Sequence, residues 1–339
     1  MRRLKAALAL AGALAGCVAS APAMAWGSNG HRAVGAIADQ LIQGSSAQRH
    51  VAALLQPGES LETISLWADC AKVNPPAGCG TPTLEMVAYV AANPGHAGYH
   101  YADVPFELAH YHDHDIGTRA DDVVQVLKQA IAVLQGRADD ASNPHHFTPR
   151  QALLLVAHLV GDIHQPLHMG GAYVAKAGGF AVPESREQIK DGLVFDTRGA
   201  QDLLVSDAVL GESTSANHGL HSFWDFVLVE DVLRRSGAAS PQQFAQMAIA
   251  MAPVVDANTG DAASWPYQWA DEALMAAKPA FDGVVPGAMA QQADDKGKMR
   301  NVWPLTLPDN YRAASADVAQ EQMIRAGYHL AALLKAIWP

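Results

Sequence analysis

The stretch "FTPRQALLLVAHLVGDIHQPLH", residues 147–168, decides how this chain is read. Thr148 can cap a helix, with Pro149 placed in its first turn where a missing N–H costs nothing. The run that follows is apolar except for His158 and Asp162, which stand four residues apart. On a helix that spacing stacks the two side chains one turn apart on the same face. An imidazole and a carboxylate leaving an apolar helix together form a ready pair of metal ligands. A core histidine satisfied by an aspartate is the alternative for this stretch taken alone. Pro166 ends the helix, because it lacks an N–H and forces Gln165 toward extended geometry. His168 then lies past the break, where it can serve a different ion.

The rest of the chain is also mostly helical in pattern. Val123, Val124, Leu127, Ile131 and Leu134 share one face between residues 121 and 135, and Met323, Ile324, Leu330, Leu334 and Ile337 do so near the end. Ser240-Pro241-Gln242-Gln243 is a helix start, with Phe244, Met247, Ala248 and Met251 following on one face. Alternating strand patterns are scarce. Residues 170–200 and 279–310, rich in Gly, Pro and charge, read as long loops. No repeat or composition break divides the chain, so the expectation is an all-α fold in a single compact domain over residues 26–339.

Residues 1–25 carry Arg2, Arg3 and Lys5, an Ala/Leu run, and then Ala23-Met24-Ala25. That is the layout of a secretory signal with cleavage before Trp26. A competing reading is Leu14-Ala15-Gly16-Cys17, which resembles a lipoprotein signal and would leave an acylated Cys17. No later stretch is long and uncharged enough to span a membrane. The expected location is secreted or periplasmic. The formal net charge is −11, and the leader holds basic residues only, so the remainder is more acidic still. Tight sequence-independent duplex binding needs a basic surface and is disfavoured. An enzyme that meets phosphates through metal ions is not. Beyond the leader only Cys70 and Cys79 remain, and in an exported chain they read as one disulfide closing a small loop.

Further ligand candidates lie in other aromatic frames. His221 and Asp225 in "HGLHSFWDFVLVE" repeat the four-residue spacing; Asp69 sits in "SLWADCAK" and His100 in "GYHYADVPF". The cluster "HYHDHD", residues 110–115, reads as a solvated loop, because adjacent histidines in an unanchored loop rarely share a rigid geometry.

Taken together, "WGSNGH", "WADCAK", "HYAD", "HLVGDIHQPLH" and "LHSFWD" resemble the zinc-dependent single-strand nucleases of fungi, plants and bacteria, in the wider superfamily of zinc phospholipases C. The resemblance runs from Trp26 to Asp225. It implies an all-α fold with a cleft holding three zinc ions. Asp69, His100, His158 and Asp162 would hold one ion; Trp26, through its amine and carbonyl, would join His31 and Asp162 on a second; His168, His221 and Asp225 would hold the third. Asp69 would also orient the attacking water, and Lys72 would meet the phosphate. Tyr101 would stack a base and Asp103 would bond its edge. Single-stranded DNA, RNA and 3′-nucleotides are the implied substrates, 5′-phosphates the implied products, and a monomer the expected state.

The chain departs from the family pattern in the 52 residues between His168 and His221, and in Gly199-Ala200-Gln201 where relatives often carry Gly-Gly-Asn. Residues 170–200 are therefore expected over or beside the cleft, and substrate range is open. A zinc phospholipase C would use the same kind of cluster on a lipid, with a longer first spacing and Glu as final ligand. A non-catalytic exported zinc-binding protein would need none of Asp69, Lys72, Tyr101 and Asp103. A zinc protease is disfavoured by the absence of His-Glu-x-x-His.

Overall fold

A computed structural model describes residues 26–73, 75, 79–211, 218–294 and 297–339. Residues 1–25, where a cleavable signal or an acylated Cys17 was expected, lie outside the described residues. The helix Pro149–Ile163 runs through the middle of the molecule, with every residue from Ala152 to Ile163 buried. Its start is a full capping box: the Thr148 side chain accepts from the backbone N–H of Gln151, and Gln151 reaches back to the N–H of Thr148. Truncating a fully buried leucine here, Leu154 or Leu159, costs about 2–5 kcal/mol. As Pro166 requires, Gln165 is extended (φ −80°, ψ 115°), and a short helix Pro166–Met169 follows.

Two apolar clusters make the core. One surrounds the central helix and takes in Val34, Leu127, Leu154, Leu159 and Leu330. The other gathers Trp26, Leu167, Phe223, Trp224 and Met323. The first helix, Gly27–Leu41, serves both, giving Val34 and Ala38 to one and Ala33 and Ile37 to the other. It packs along the last helix, Tyr311–Ile337, and against Pro241–Ala250. The helices expected at 121–135, at Ser240 and at the C-terminal end are present as Val123–Leu134, Pro241–Ala250 and Tyr311–Ile337. Met251 is the exception: it lies past its helix and is 54% exposed.

The two segments read as loops are more ordered than expected. Within 170–200, Tyr173–Ala175 pairs antiparallel with Val194–Asp196, and Arg186–Lys190 is helical. Within 279–310, Met299–Thr306 pairs with Ala290–Ala293, Val285–Pro286 and Leu203–Leu204. These strands are held by one another and not by an alternating apolar face, which is why periodicity does not show them. The molecule remains a helical one with small peripheral ladders. Among the described residues no helix is long and apolar enough to cross a membrane.

A second departure bears on the site. Residues 221–225 read as an ordinary helical turn, but Phe223–Leu228 winds as a π-helix between Leu220–Ser222 and Val229–Ser236. Such wide turns cluster at functional sites, where they re-aim side chains. Cys70 and Cys79 are joined in a disulfide, as their spacing suggested.

Candidate metal centre

His158 and Asp162 leave the central helix on one face, both fully buried, with His158 Nε2 3.2 Å from Asp162 Oδ2. The other ring nitrogen, Nδ1, lies 2.6 Å from the carbonyl of Ser65, which fixes Nε2 as the free ligand atom. His100 arrives from the turn after His96–Gly98 and sets Nδ1 2.8 Å from the same Oδ2 and 3.1 Å from His158 Nε2. Asp69, on the single turn Trp67–Cys70, completes this group with Oδ1 3.6 Å from His158 and 3.8 Å from His100. The Cys70–Cys79 bridge begins at the next residue and anchors that turn.

The other oxygen of Asp162 faces a second group. His31, from the first helix, places Nε2 3.3 Å from Asp162 Oδ1 and stacks its ring on His158 at 4.0 Å. Gly161 permits this approach, since a Cβ there would lie 2.8 Å from His31 Nδ1 and 3.8 Å from Trp26 Cδ1. Trp26 is thus beside His31, fully buried, and its backbone is left-handed at φ 33°. That conformation is strained for a residue with a side chain.

His168, His221 and Asp225 make a third group. His168 and His221 bring their Nε2 atoms to 2.9 Å, and Asp225 Oδ2 lies 3.4 Å from His221 Nε2. Again each Nδ1 rests on a backbone carbonyl, His168 on His100 at 2.8 Å and His221 on Gly199 at 2.6 Å. Gly199 is left-handed (φ 59°) and sits so close to Asp103 Oδ1 and His221 Nδ1 that a side chain would crowd both. Gln165 is a residue the sequence reading missed. Its Nε2 donates to Asp225 Oδ1 at 2.8 Å, while its Oε1 accepts the N–H of Leu167. A glutamine before the helix-ending proline was the available signal.

All three groups can hold a metal ion. Their donor set fits one: His31 Nε2, Asp69 Oδ2 and Asp225 Oδ2 are buried with no hydrogen-bond partner, a cost that coordination removes. Borderline-soft zinc takes this mixture of imidazole nitrogen and carboxylate oxygen readily. Charge is distributed unevenly. Burial pushes the Asp69 carboxyl up, but Lys72, 2.6 Å from Oδ1, and the surrounding imidazoles outweigh it and hold it at about 2. Burial, then Lys72, lowers His100 to about 3, and burial lowers His168 to about 4. Burial raises Asp225 well above the usual carboxylate range. His158 also departs: burial lowers it, but Asp162 and Asp69 outweigh that and raise it, so until an ion takes its place these carboxylates favour a proton on the ring. The remaining titratable groups, His31, Asp69, His100, Asp162, His168 and His221, are held in the form that binds a cation.

Beside the groups lie the residues matched to base recognition. The Arg119 guanidinium stands 4.6 Å from the centre of the Tyr101 ring. Asp103 is buried, its Oδ1 has no hydrogen-bond partner, and burial with Asp196 nearby lifts it to about 8. Asp196, Arg198 and Gly199 bring the 170–200 segment to this side of the site, beside the groups. The "HYHDHD" loop stays apart: His110, His112 and His114 are exposed, and His110 pairs with Asp271.

Residues 26–339 match the S1/P1 Nuclease family. The chain is 26% identical over 159 residues to Endonuclease 2 of Arabidopsis thaliana, covering 45% of this chain and 48% of that protein. It is 22% identical over 216 residues to Endonuclease 5 of the same plant, covering 60% of this chain and 57% of that protein. The chain thus spans about half the length of the curated relatives it matches. With the match reaching from Trp26 to the last residue, through every group described above, this chain belongs to the S1/P1 nuclease family.

Proposed function

We propose that the protein is an exported zinc nuclease that hydrolyses phosphodiester bonds of single-stranded DNA and RNA to 5′-phosphate products and also dephosphorylates 3′-nucleotides. Three zinc ions are held by Asp69, His100, His158 and Asp162; by Trp26, His31 and Asp162; and by His168, His221 and Asp225. Residues 1–25 are a leader removed before Trp26, and residues 26–339 work as one domain and as a monomer. The observation that carries the reading is Asp162, whose two oxygens face two different histidine groups.

Bound zinc lowers the pKa of water toward ~7 and supplies charge to both ends of an in-line displacement. The chain's own groups do the rest. Asp69, ionised at any working pH, orients the attacking water through an oxygen that no protein group occupies. Lys72, buried beside it, offers its ammonium to the phosphate. Tyr101 stacks a base, worth ~1–3 kcal/mol whatever the base. A duplex base must first be unstacked to reach that ring, which gives single strands preference. Asp103, protonated below about 8, donates a hydrogen bond to the base edge at neutral pH.

The test is hydrolysis by purified, metal-quantified protein of single-stranded DNA, RNA, a 3′-mononucleotide and phosphatidylcholine side by side. Cleavage of the first three and not the lipid is expected. Lipid hydrolysis alone would make the protein a phospholipase, and no hydrolysis by zinc-loaded protein would leave a binding protein.

A further inference from the structure

A fourth group capable of holding a metal lies outside the catalytic cleft: His164, Glu272 and His329. His164 ends the central helix, Glu272 lies on Trp265–Phe281, and His329 lies on the last helix. The two imidazoles are buried, and His164 Nε2 lies 2.8 Å from His329 Nδ1. Their far nitrogens both face carbonyls, His164 Nδ1 at 2.7 Å from Val160 and His329 Nε2 at 3.4 Å from Asp256. Each of these three contacts calls for a hydrogen on nitrogen. Two neutral rings carry only two. If both carbonyls receive theirs, two lone pairs face each other across 2.8 Å. In that arrangement the gap between the rings offers two nitrogen lone pairs, with a Glu272 carboxylate oxygen in reach, to a cation.

We propose that His164 Nε2, His329 Nδ1 and a Glu272 oxygen bind a divalent transition-metal ion, zinc by preference, at a structural site separate from the cleft. Two imidazoles and one carboxylate are a zinc donor set that leaves a fourth position for water. The arrangement repeats that of the cleft, where His168 and His221 face each other at 2.9 Å with their far nitrogens on carbonyls. In both places a tetrahedral ion with Zn–N of ~2.0–2.1 Å requires the rings to part by about half an ångström. The Trp269 ring stacks on His329 and holds its plane. Arg325 does not claim Glu272 for itself, because its guanidinium is shared with Glu321. The Glu272 side chain is 30% exposed and gives the ion a way in. The bound ion joins the end of the central helix to the two long C-terminal helices.

The experiment compares the full mature protein with His329→Gln, both stripped with chelator, reloaded with zinc, freed of excess and measured by elemental analysis. The variant is expected to hold one zinc fewer per chain, to gain less in Tm on zinc addition, and to keep its hydrolysis of single-stranded DNA. Equal zinc content in the two proteins overturns the proposal. Should His329→Gln not fold, the partly exposed Glu272→Gln decides: at least a tenfold weaker zinc affinity at one site supports the proposal, and unchanged affinity at every site overturns it.

Discussion

The imidazole of His31 and the carboxylate of Asp162 meet at 3.3 Å across two helices, both side chains wholly buried. The second oxygen of that carboxylate lies 2.8 Å from His100. One side chain therefore joins two groups that can each hold a metal ion, and Asp162→Asn should disturb both. We expect it to lose more zinc per chain than His221→Asn, which touches a single group, and to lose at least ~100-fold in hydrolysis. Elemental analysis of the two variants checks this, and equal zinc loss would remove the bridging role.

Tyr101→Ala should weaken cleavage of single strands by about 5- to 150-fold, the equivalent of one stacked base, with zinc content unchanged. Arg119 already occupies one face of the ring, so the base is expected on the opposite face. Kinetics on polynucleotide and mononucleotide together are the measurement. A variant as fast as the parent on both has no base platform at Tyr101.

Asp103 ties stability to pH. Its carboxyl, ordinarily at 3.8, is raised to about 8 in the fold, first by burial and then by Asp196. Below the lower value both folded and unfolded chains hold the proton. Between the two values only the folded chain holds it, so this group's contribution to stability falls as pH rises through that window. Asp103→Asn cannot ionise and should flatten the fall. Urea midpoints at pH 5 and pH 8 for parent and variant give the answer, and parallel slopes would refute it.

Replacing both Cys70 and Cys79 by serine opens a loop whose ends are nine residues apart. The chain-entropy cost of that loop is about 2–3 kcal/mol. Denaturant unfolding should show a loss of this size, while an unchanged midpoint would mean that the loop is held by other contacts.

The strained, buried Trp26 leads to a prediction about maturation. A free α-amine has a lone pair to offer a cation once deprotonated, whereas a peptide nitrogen is delocalised into its carbonyl. Mass spectrometry of exported protein should find Trp26 first. A form carrying extra residues before Trp26 should bind one zinc fewer and lose hydrolysis. Full zinc and full rate in that form would show the free terminus to be dispensable.

The sequence made some of this legible and not the rest, for physical reasons. His158 and Asp162 could be paired because helical spacing alone places them together, and Pro166 marked where the helix had to stop. The helical class followed from the apolar periodicity. Asp69, His100 and His31 come from distant turns and helices, and no spacing rule brings them to His158; only the family resemblance did. The carbonyls of Ser65, His100 and Gly199 that set the ligand tautomers are backbone groups and leave no trace in residue type. Gln165 was hidden for a similar reason, since its contact with Asp225 exists only once the chain has folded back. The strands within 170–200 and 279–310 form by pairing with one another and with short strands at Val104–Pro105 and Leu203–Leu204, in stretches whose composition resembles loops.

The π-helical turn at Phe223–Leu228 gives the third ligand group a phase as well as a composition. An α-helix advances ~100° per residue. Deleting one residue between Asp225 and Val229 leaves every histidine and aspartate of the site in place. It nonetheless rotates the helix Val229–Ser236, which packs against the last helix, relative to Asp225. The chain must then misplace either that packing face or the carboxylate. A descendant of this protein could carry every candidate ligand and still lack the third group's geometry, its fault a matter of length. At this turn the count of residues is itself inherited information, and substitution and deletion carry very different risks.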